Sequence, residues 1–415
     1  MEGESSPFKP SDNRDFKQNP HRPASVYIGW REGQNNPDID PNVQRENLAQ
    51  YDALIGVVDK QIFNGNYFHI ESTRFPGNKP PGAVFILDER SLMETYAHDL
   101  PGITPPEQTT FTEETKPLGV YITEAGYSDY PVGHGMIGNH SLVREVAQDL
   151  PSYAAYVAEQ KAKGEKIQPR IYVSMGTLQG QGTETSDEYV KEYEQNPEQA
   201  EGILYGDVYK QILEKYHATE SPVMYEGTSM GASTVYAALE QNPDLQKNAR
   251  MRLVGPAAGH GGALLPRTAK GIRTVVGFAG EVLKRYWNKD LDKRLNMTTL
   301  TDRNVERQMP LTPASPDELA RKKRMGDRTK RRVVLGTGML EKPMPVPTEI
   351  VVSERDLMIG KDIAKLGEQP NVTVRTVKGD HIFPGNADEF TEMAKELNQA
   401  KAIVRHLYLP QKQAA

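Results

Sequence analysis

The chain has 415 residues, long enough for two or three domains, and carries 50 Lys and Arg against 56 Asp and Glu for a net charge of -6. That acidic balance disfavours a general nucleic-acid binder, which needs a basic footprint to neutralise phosphates. There is no Cys, so disulfide frameworks, thiolate metal sites, Cys nucleophiles and thiol redox switches are excluded.

No run approaches the roughly 20 apolar residues of a membrane span. The N-terminal residues MEGESSPFKPSDNRDFKQNPHRPAS lack the apolar h-region of a signal peptide, so a cytoplasmic protein is expected. Residues 1–24 read as a disordered tail of Pro, Ser, Asn and charge. Within an N-terminal extension, 25–117, NYFHIESTR (66–74) and GAVFILDER (82–90) are strand-like runs joined by FPGNKPPG, an expected hairpin at a sheet edge.

After a Pro-rich polar stretch, short apolar runs alternate with helical patterns, the mark of a mostly parallel sheet with crossover helices. The strands are LGVYIT (118–123), RIYVSM (170–175), SPVMYE (221–226), MRLVGPAA (251–258), TEIVVS (348–353) and VTVRTV (372–377). Helical spacing joins Leu142, Val146, Leu150 and Val157, then Leu204, Val208 and Ile212, then Val235, Ala238 and Leu239. A last helix carries Phe390, Met393, Leu397 and Val404, with Asn386 or Asp388 near its start.

Residues 259–346 differ in composition. Ala269 to Trp287 has apolar residues at helical spacing, and RKKRMGDRTKRR (321–332) is a basic run. About 19 Lys and Arg stand there against about nine Asp and Glu, so the stretch carries roughly +10 and the remainder roughly -16. The basic run reads first as a solvated face paired with the acidic remainder, second as an attraction for an anionic substrate or lipid surface, and last as a nucleic-acid contact.

Gly227-Thr228-Ser229-Met230-Gly231, between a strand and a helix, fits the G-x-S-x-G nucleophile elbow. The sharp turn lifts the Ser hydroxyl above the sheet, and the flanking glycines avoid Cβ clashes. In a chain with 35 Gly the motif alone is weak, and its strand and helix flanks supply the weight. The N–H of Met230 then points at the developing oxyanion. A Ser hydroxyl needs a base, and the base needs a carboxylate to orient it. The chain order in this arrangement is Ser, acid, His. Only His381 and His406 follow the strand 348–353; His406 reads as helix surface, so His381, just after the strand 372–377, is taken as the base. SERDLMIG (353–360) offers Glu354 and Asp356, and Asp356 is preferred because the turn should bring it back over the sheet edge. No H-E-x-x-H, P-loop, G-x-G-x-x-G after a strand or acidic Ca loop is visible. His134 and His140 read as loop residues, and neither a metal nor a cofactor is expected.

Together these motifs resemble the α/β-hydrolase superfamily. The elbow is joined by Ser353-Glu354-Arg355-Asp356, similar to the family's G-x-x-D acid loop but with Ser353 for Gly, and by Gly379-Asp380-His381 with Pro384, similar to its G-H loop but with Asp380 inserted. The resemblance covers roughly 118–258 and 348–406. It implies an α/β fold: a mostly parallel sheet of about eight strands flanked by helices, built from 118–258 and 347–415, with 259–346 a helical basic cap inserted after the sixth strand. It also implies that GTLQGQGTETS (176–186) is the Gly-rich loop after the fourth strand.

The second oxyanion donor should follow the strand 118–123, where Glu124-Ala125-Gly126-Tyr127 stands in place of the family's H-G-x. The resemblance passes that role to the N–H of Tyr127, with Gly126 permitting the turn. Gly259-His260-Gly261-Gly262 looks like an HGGG esterase loop, but it follows the strand after the elbow and is read as the entry to the cap. Trp287, Phe278 and Tyr286 are read first as packing cap against core and second as lining an acyl pocket. The expected activity is a serine hydrolase cleaving a small-molecule carboxylic ester, in preference to a thioester or amide, with an anionic or lipid-like substrate allowed by the basic cap. An acyltransferase using the same triad and a non-catalytic ligand-binding or scaffold protein are the alternatives. Ser in place of Asp disfavours epoxide hydrolase and dehalogenase chemistry.

Overall fold

A computed structural model describes residues 41–62, 66–112, 115–124, 138–176, 178, 185–256, 315–335, 342–354, 356, 361–378 and 386–409. The tail 1–24 lies outside them, as does most of 259–346. Eight strands make one sheet: β1 (Tyr67–His69), β2 (Pro81–Leu87), β3 (Gly119–Glu124), β4 (Arg170–Met175), β5 (Val223–Thr228), β6 (Ala249–Val254), β7 (Thr348–Ser353) and β8 (Val372–Val377), in the order β1-β2-β4-β3-β5-β6-β7-β8. β1 and β2 are antiparallel, β2 is antiparallel to β4, and β3 to β8 run parallel. The central strands are near-continuous Val, Ile and Tyr runs because both of their faces are covered. The chain passes from β3 outward to β4 on one side and returns to β5 on the other, so the crevice of this sheet lies at the C-terminal ends of β3 and β5.

One face is covered by α1 (Pro41–Gln61), α2 (Glu89–Thr95), α3 (Gly138–Lys163) and α8 (Asn386–Tyr408), with Tyr51, Phe85, Tyr121, Val146, Tyr153 and Leu397 in the core between. The other carries α4 (Asp187–Gln195), α5 (Pro197–Lys215) and α6 (Met230–Gln241), over Ile122, Val173, Tyr209, Tyr225, Val235 and Ile350. Helices α5 and α6 approach closely: a Cβ on Gly202 would stand 2.6 Å from the Ala237 carbonyl oxygen. Among the described residues, no helix is long and apolar enough to cross a membrane.

Several elements depart from the expected boundaries. The run 82–90 does not stay extended: β2 stops at Leu87 and Asp88 caps α2. The Asp88 carboxylate accepts from the Ser91 N–H at 2.9 Å, and the Ser91 hydroxyl accepts from the Asp88 N–H at 2.8 Å, a capping box that favours a helix start over a longer strand. The run 251–258 ends at Val254, because Gly255 turns to a φ of +50° and Pro256 follows. The strand expected at 221–226 is shifted to Val223–Thr228. Helices α1 and α4 form outside the segments expected to be helical. Both carry an apolar spacing, Tyr51, Leu54, Ile55 and Val58 in one and Tyr189, Val190 and Tyr193 in the other, the second capped by Ser186.

A further helix, α7 (Pro316–Leu335), contains the basic run. Met325 is buried, the Glu318 carboxylate accepts from the Thr185 hydroxyl at 2.7 Å, and Arg324 and Arg321 pair with Glu194 (2.6 Å) and Asp187 (3.5 Å) of α4. Exposed pairs of this kind contribute little each, so the buried Met and Glu anchor the helix.

The β1–β2 connection is tied to α5 by one carboxylate. Asp207 accepts from the Ser72 hydroxyl (2.9 Å), the Thr73 N–H (2.6 Å), the Thr73 hydroxyl (2.8 Å) and the Gln211 amide (3.3 Å). Replacing Asp207 by Ala should lower stability by about 2 kcal/mol, since bonds to a charged acceptor are lost at a partly solvated site. The check is a lower urea midpoint with an unchanged slope; an unshifted midpoint would mean that water replaces the carboxylate at no cost.

Candidate active site

Ser229 stands between β5 and α6 with φ 52° and ψ -112°. A side-chain-bearing residue at such angles stores roughly 1 to 3 kcal/mol of strain, which persists only where neighbours enforce it. Here the Ser229 N–H donates to the Val254 carbonyl of β6 at 2.9 Å, pinning the turn to the next strand. Gly227 makes the turn possible: a Cβ there would sit 2.5 Å from the Gly231 carbonyl oxygen and from Ala232 Cα. Met230 is the first residue of α6 and is buried. The first N–H groups of a helix have no intrahelical acceptor and sit at the positive end of its dipole, where a developing oxyanion is stabilised.

The acid candidates follow β7, two strands from β5 on the same C-terminal edge. The Glu354 N–H donates to the Val377 carbonyl at 2.9 Å, so this residue continues the ladder with β8 and its side chain is exposed. The Asp356 N–H donates to the Ser353 carbonyl at 3.1 Å, closing a tight turn that leaves Asp356 half-buried. β8 ends at Val377, four residues before His381. His381, Gly126, Tyr127 and Trp287 lie outside the described residues, as do Phe278, Tyr286, His134, His140 and Gly259 to Gly262. Ser229 and Met230 are thus brought together at one strand-helix junction, with Asp356 on the same edge. His406 is an exposed residue of α8. Among the described residues, no group of three or more His, Asp or Glu could hold a metal ion.

Two features beneath this edge escaped the sequence reading. Glu226, Arg252 and Glu349 lie side by side in register on β5, β6 and β7. Arg144 of α3 reaches the Glu226 carboxylate at 2.8 and 3.0 Å, Arg252 reaches it at 3.3 Å and Glu349 at 2.7 Å, and Arg252 also pairs with Glu145. Burial works against the Arg252 charge, but the Glu145 and Glu226 carboxylates outweigh it and hold its pKa above the ordinary value. Burial pushes the Glu145 carboxyl up, against the pull of Arg144 and Arg252. The available signal was one charge inside each of three apolar strand runs. The second feature is Glu124, the last residue of β3, which is buried beside Gly227.

Strand order, crossover helices and a strained Ser between the fifth strand and its helix define the α/β-hydrolase fold. No protein-family model matches the sequence. No curated protein sequence matches it. Among solved structures, the chain is similar to a thioesterase domain from the curacin biosynthetic pathway at 13% identity and a TM-score of 0.39, covering 80% of this chain and 98% of that one. It is similar to a peroxisomal α/β-hydrolase from Saccharomyces cerevisiae at 11% identity and a TM-score of 0.43, covering 84% and 90%. A thermophilic esterase from Thermogutta terrifontis is similar at 14% identity and a TM-score of 0.38, covering 82% and 99%.

Proposed function

We propose that the protein is a serine hydrolase acting on small-molecule carboxylic esters. The observation that supports this reading most strongly is the conformation of Ser229, a strained non-glycine residue at the turn where this fold presents its nucleophile. In this reading Ser229 Oγ attacks the ester carbonyl while His381 takes its proton, and Asp356 orients the imidazole and stabilises its charged form. The Met230 and Tyr127 N–H groups hold the oxyanion, with Gly126 allowing the turn. His381 returns the proton to the departing alcohol. A water molecule, deprotonated by His381, then attacks the acyl-enzyme, and His381 passes that proton to Ser229 Oγ as the acid departs. The reaction is complete with these groups. The basic residues of α7 would favour an anionic or lipid-like substrate, and Trp287 would line the acyl pocket.

The test is hydrolysis of p-nitrophenyl acyl esters of increasing chain length, together with fluorophosphonate labelling mapped to Ser229. Turnover and labelling are expected, with Asp356→Asn lowering kcat by about 10³- to 10⁴-fold and Glu354→Gln leaving it within about three-fold. No turnover on any ester and no label at Ser229 would instead favour a non-catalytic ligand-binding protein. Product carried mainly by an added alcohol would make it an acyltransferase.

A further inference from the structure

Glu124 is the last residue of β3 and lies in register with Gly227, two residues before Ser229. Its side chain is enclosed, with the residue only 1% exposed. From α5, the Tyr209 hydroxyl donates to Oε1 at 2.8 Å, and Tyr205 and the Glu201 carboxyl lie close enough to feel its charge. Tyr225 of β5 packs behind Tyr209 with its ring tilted by 38°, the ring centroids 5.4 Å apart. From α6, the helix that begins at the elbow, the Thr234 hydroxyl donates to Glu201 at 3.3 Å. Glu124 Oε2 finds no partner among the described residues, and no cation is among the groups that act on Glu124.

A carboxylate enclosed in this way, with no cation acting on it among the described residues, is poorly stabilised as a charge. It takes up a proton instead. Burial holds Glu124 well above the ordinary carboxylate range; the Tyr209 bond pulls it down by less, and Glu201 adds to the rise. Tyr205, one turn before Tyr209 on α5, does similar work on the neighbouring strand: its hydroxyl donates to the Gly176 carbonyl at 3.1 Å and accepts from the Leu178 N–H at 3.2 Å. Two tyrosines of one helix thus hold the ends of β3 and β4, and the bond to β3 passes through a carboxyl.

We propose that Glu124 is a positioning residue that works as a neutral carboxylic acid, fixing the end of β3 against α5 beside the elbow, and that losing its proton displaces that strand end and sets the upper pH limit of turnover. Ionisation would leave a charge facing Glu201 with no cation acting on it among the described residues, so the strand end must move or admit water. The activity part rests on the hydrolase reading; the protonation part does not.

The experiment compares the wild type with Glu124→Gln and Glu124→Leu. Gln keeps an acceptor oxygen for Tyr209 and replaces the acid O–H by N–H, so kcat should stay within about three-fold at pH 7 and the alkaline fall of the wild type should vanish. Leu fills the space without either polar group, and kcat should drop by about 10-fold or more at every pH with KM little changed, because the reacting edge is displaced. An alkaline fall in Glu124→Gln like that of the wild type, or wild-type kcat in Glu124→Leu, overturns the proposal. Melting temperatures from pH 5 to 9 supply a readout independent of turnover. A group whose folded pKa is raised loses stability as pH climbs from its ordinary value near 4.5 towards the raised one, so the wild type should fall progressively behind Glu124→Gln. Parallel melting curves overturn the proposal as well. Absence of ester turnover in all three proteins, with Ser229 unlabelled, counts against the hydrolase reading while the melting curves still decide the state of Glu124.

Discussion

Replacing Ser229 by alanine is expected to lower ester turnover by about 10⁴-fold or more, and replacing it by glycine to do the same while raising stability. The two variants separate chemistry from strain. Alanine removes the hydroxyl but keeps the Cβ, so φ 52° with ψ -112° remains as costly as before. Glycine adopts such angles freely and should recover roughly 1 to 3 kcal/mol of strain, offset by about 0.5 to 1 kcal/mol for the greater freedom of the unfolded chain. A net gain of about 1 kcal/mol is therefore expected for Ser229→Gly over Ser229→Ala in urea unfolding. Strain held at a residue that glycine would serve better is understandable only if the side chain is needed there. Equal stability of the two variants would remove that argument, and full activity in either would remove the nucleophile.

The second large effect concerns the charges beneath the sheet. Arg144→Met should destabilise the fold by about 3 to 5 kcal/mol, because it takes from Glu226, fully buried, the guanidinium nitrogen that bonds both its oxygens and leaves it only the longer contact to Arg252. The variant that also carries Glu226→Leu should recover a large part of that loss, since an apolar pair in place of a buried ion pair is often neutral or stabilising. A double-mutant cycle measures the coupling, and additive losses would mean that the pair is not an energetic unit. The sign of the pH effect follows from Glu145. Its folded pKa is already raised by burial, and loss of the Arg144 charge raises it further, so the variant loses stability as pH rises above the ordinary carboxylate value. Its deficit should be smallest in mild acid and largest near neutrality.

These charges also show where local reading stops. Glu226, Arg252 and Glu349 each interrupt an apolar run, and nothing in any one run says that the three meet. They meet because β5, β6 and β7 are consecutive in the sheet and in matching register. Asp88 shows the converse: its N-cap chemistry is local, with Ser91 three residues on, yet the apolar residues before it give 82–90 the look of a single strand. α1 carries the spacing of a buried helix at Tyr51, Leu54, Ile55 and Val58, in a region whose composition otherwise suggests only an extension.

What the sequence determined by itself is what short-range physics controls. Short continuous apolar runs make the strands, helical spacings make the crossover helices, and Gly-x-Ser-x-Gly between them permits a turn that a Cβ at Gly227 would block. Tertiary structure alone decided which strand ends flank the crevice, that the Ser229 N–H is pinned to β6, that Glu354 continues the ladder with β8, and that Glu124 is sealed under α5. Each of those outcomes depends on residues distant in the chain, because desolvation and charge pairing are set by whatever finally surrounds a group, not by its sequence neighbours.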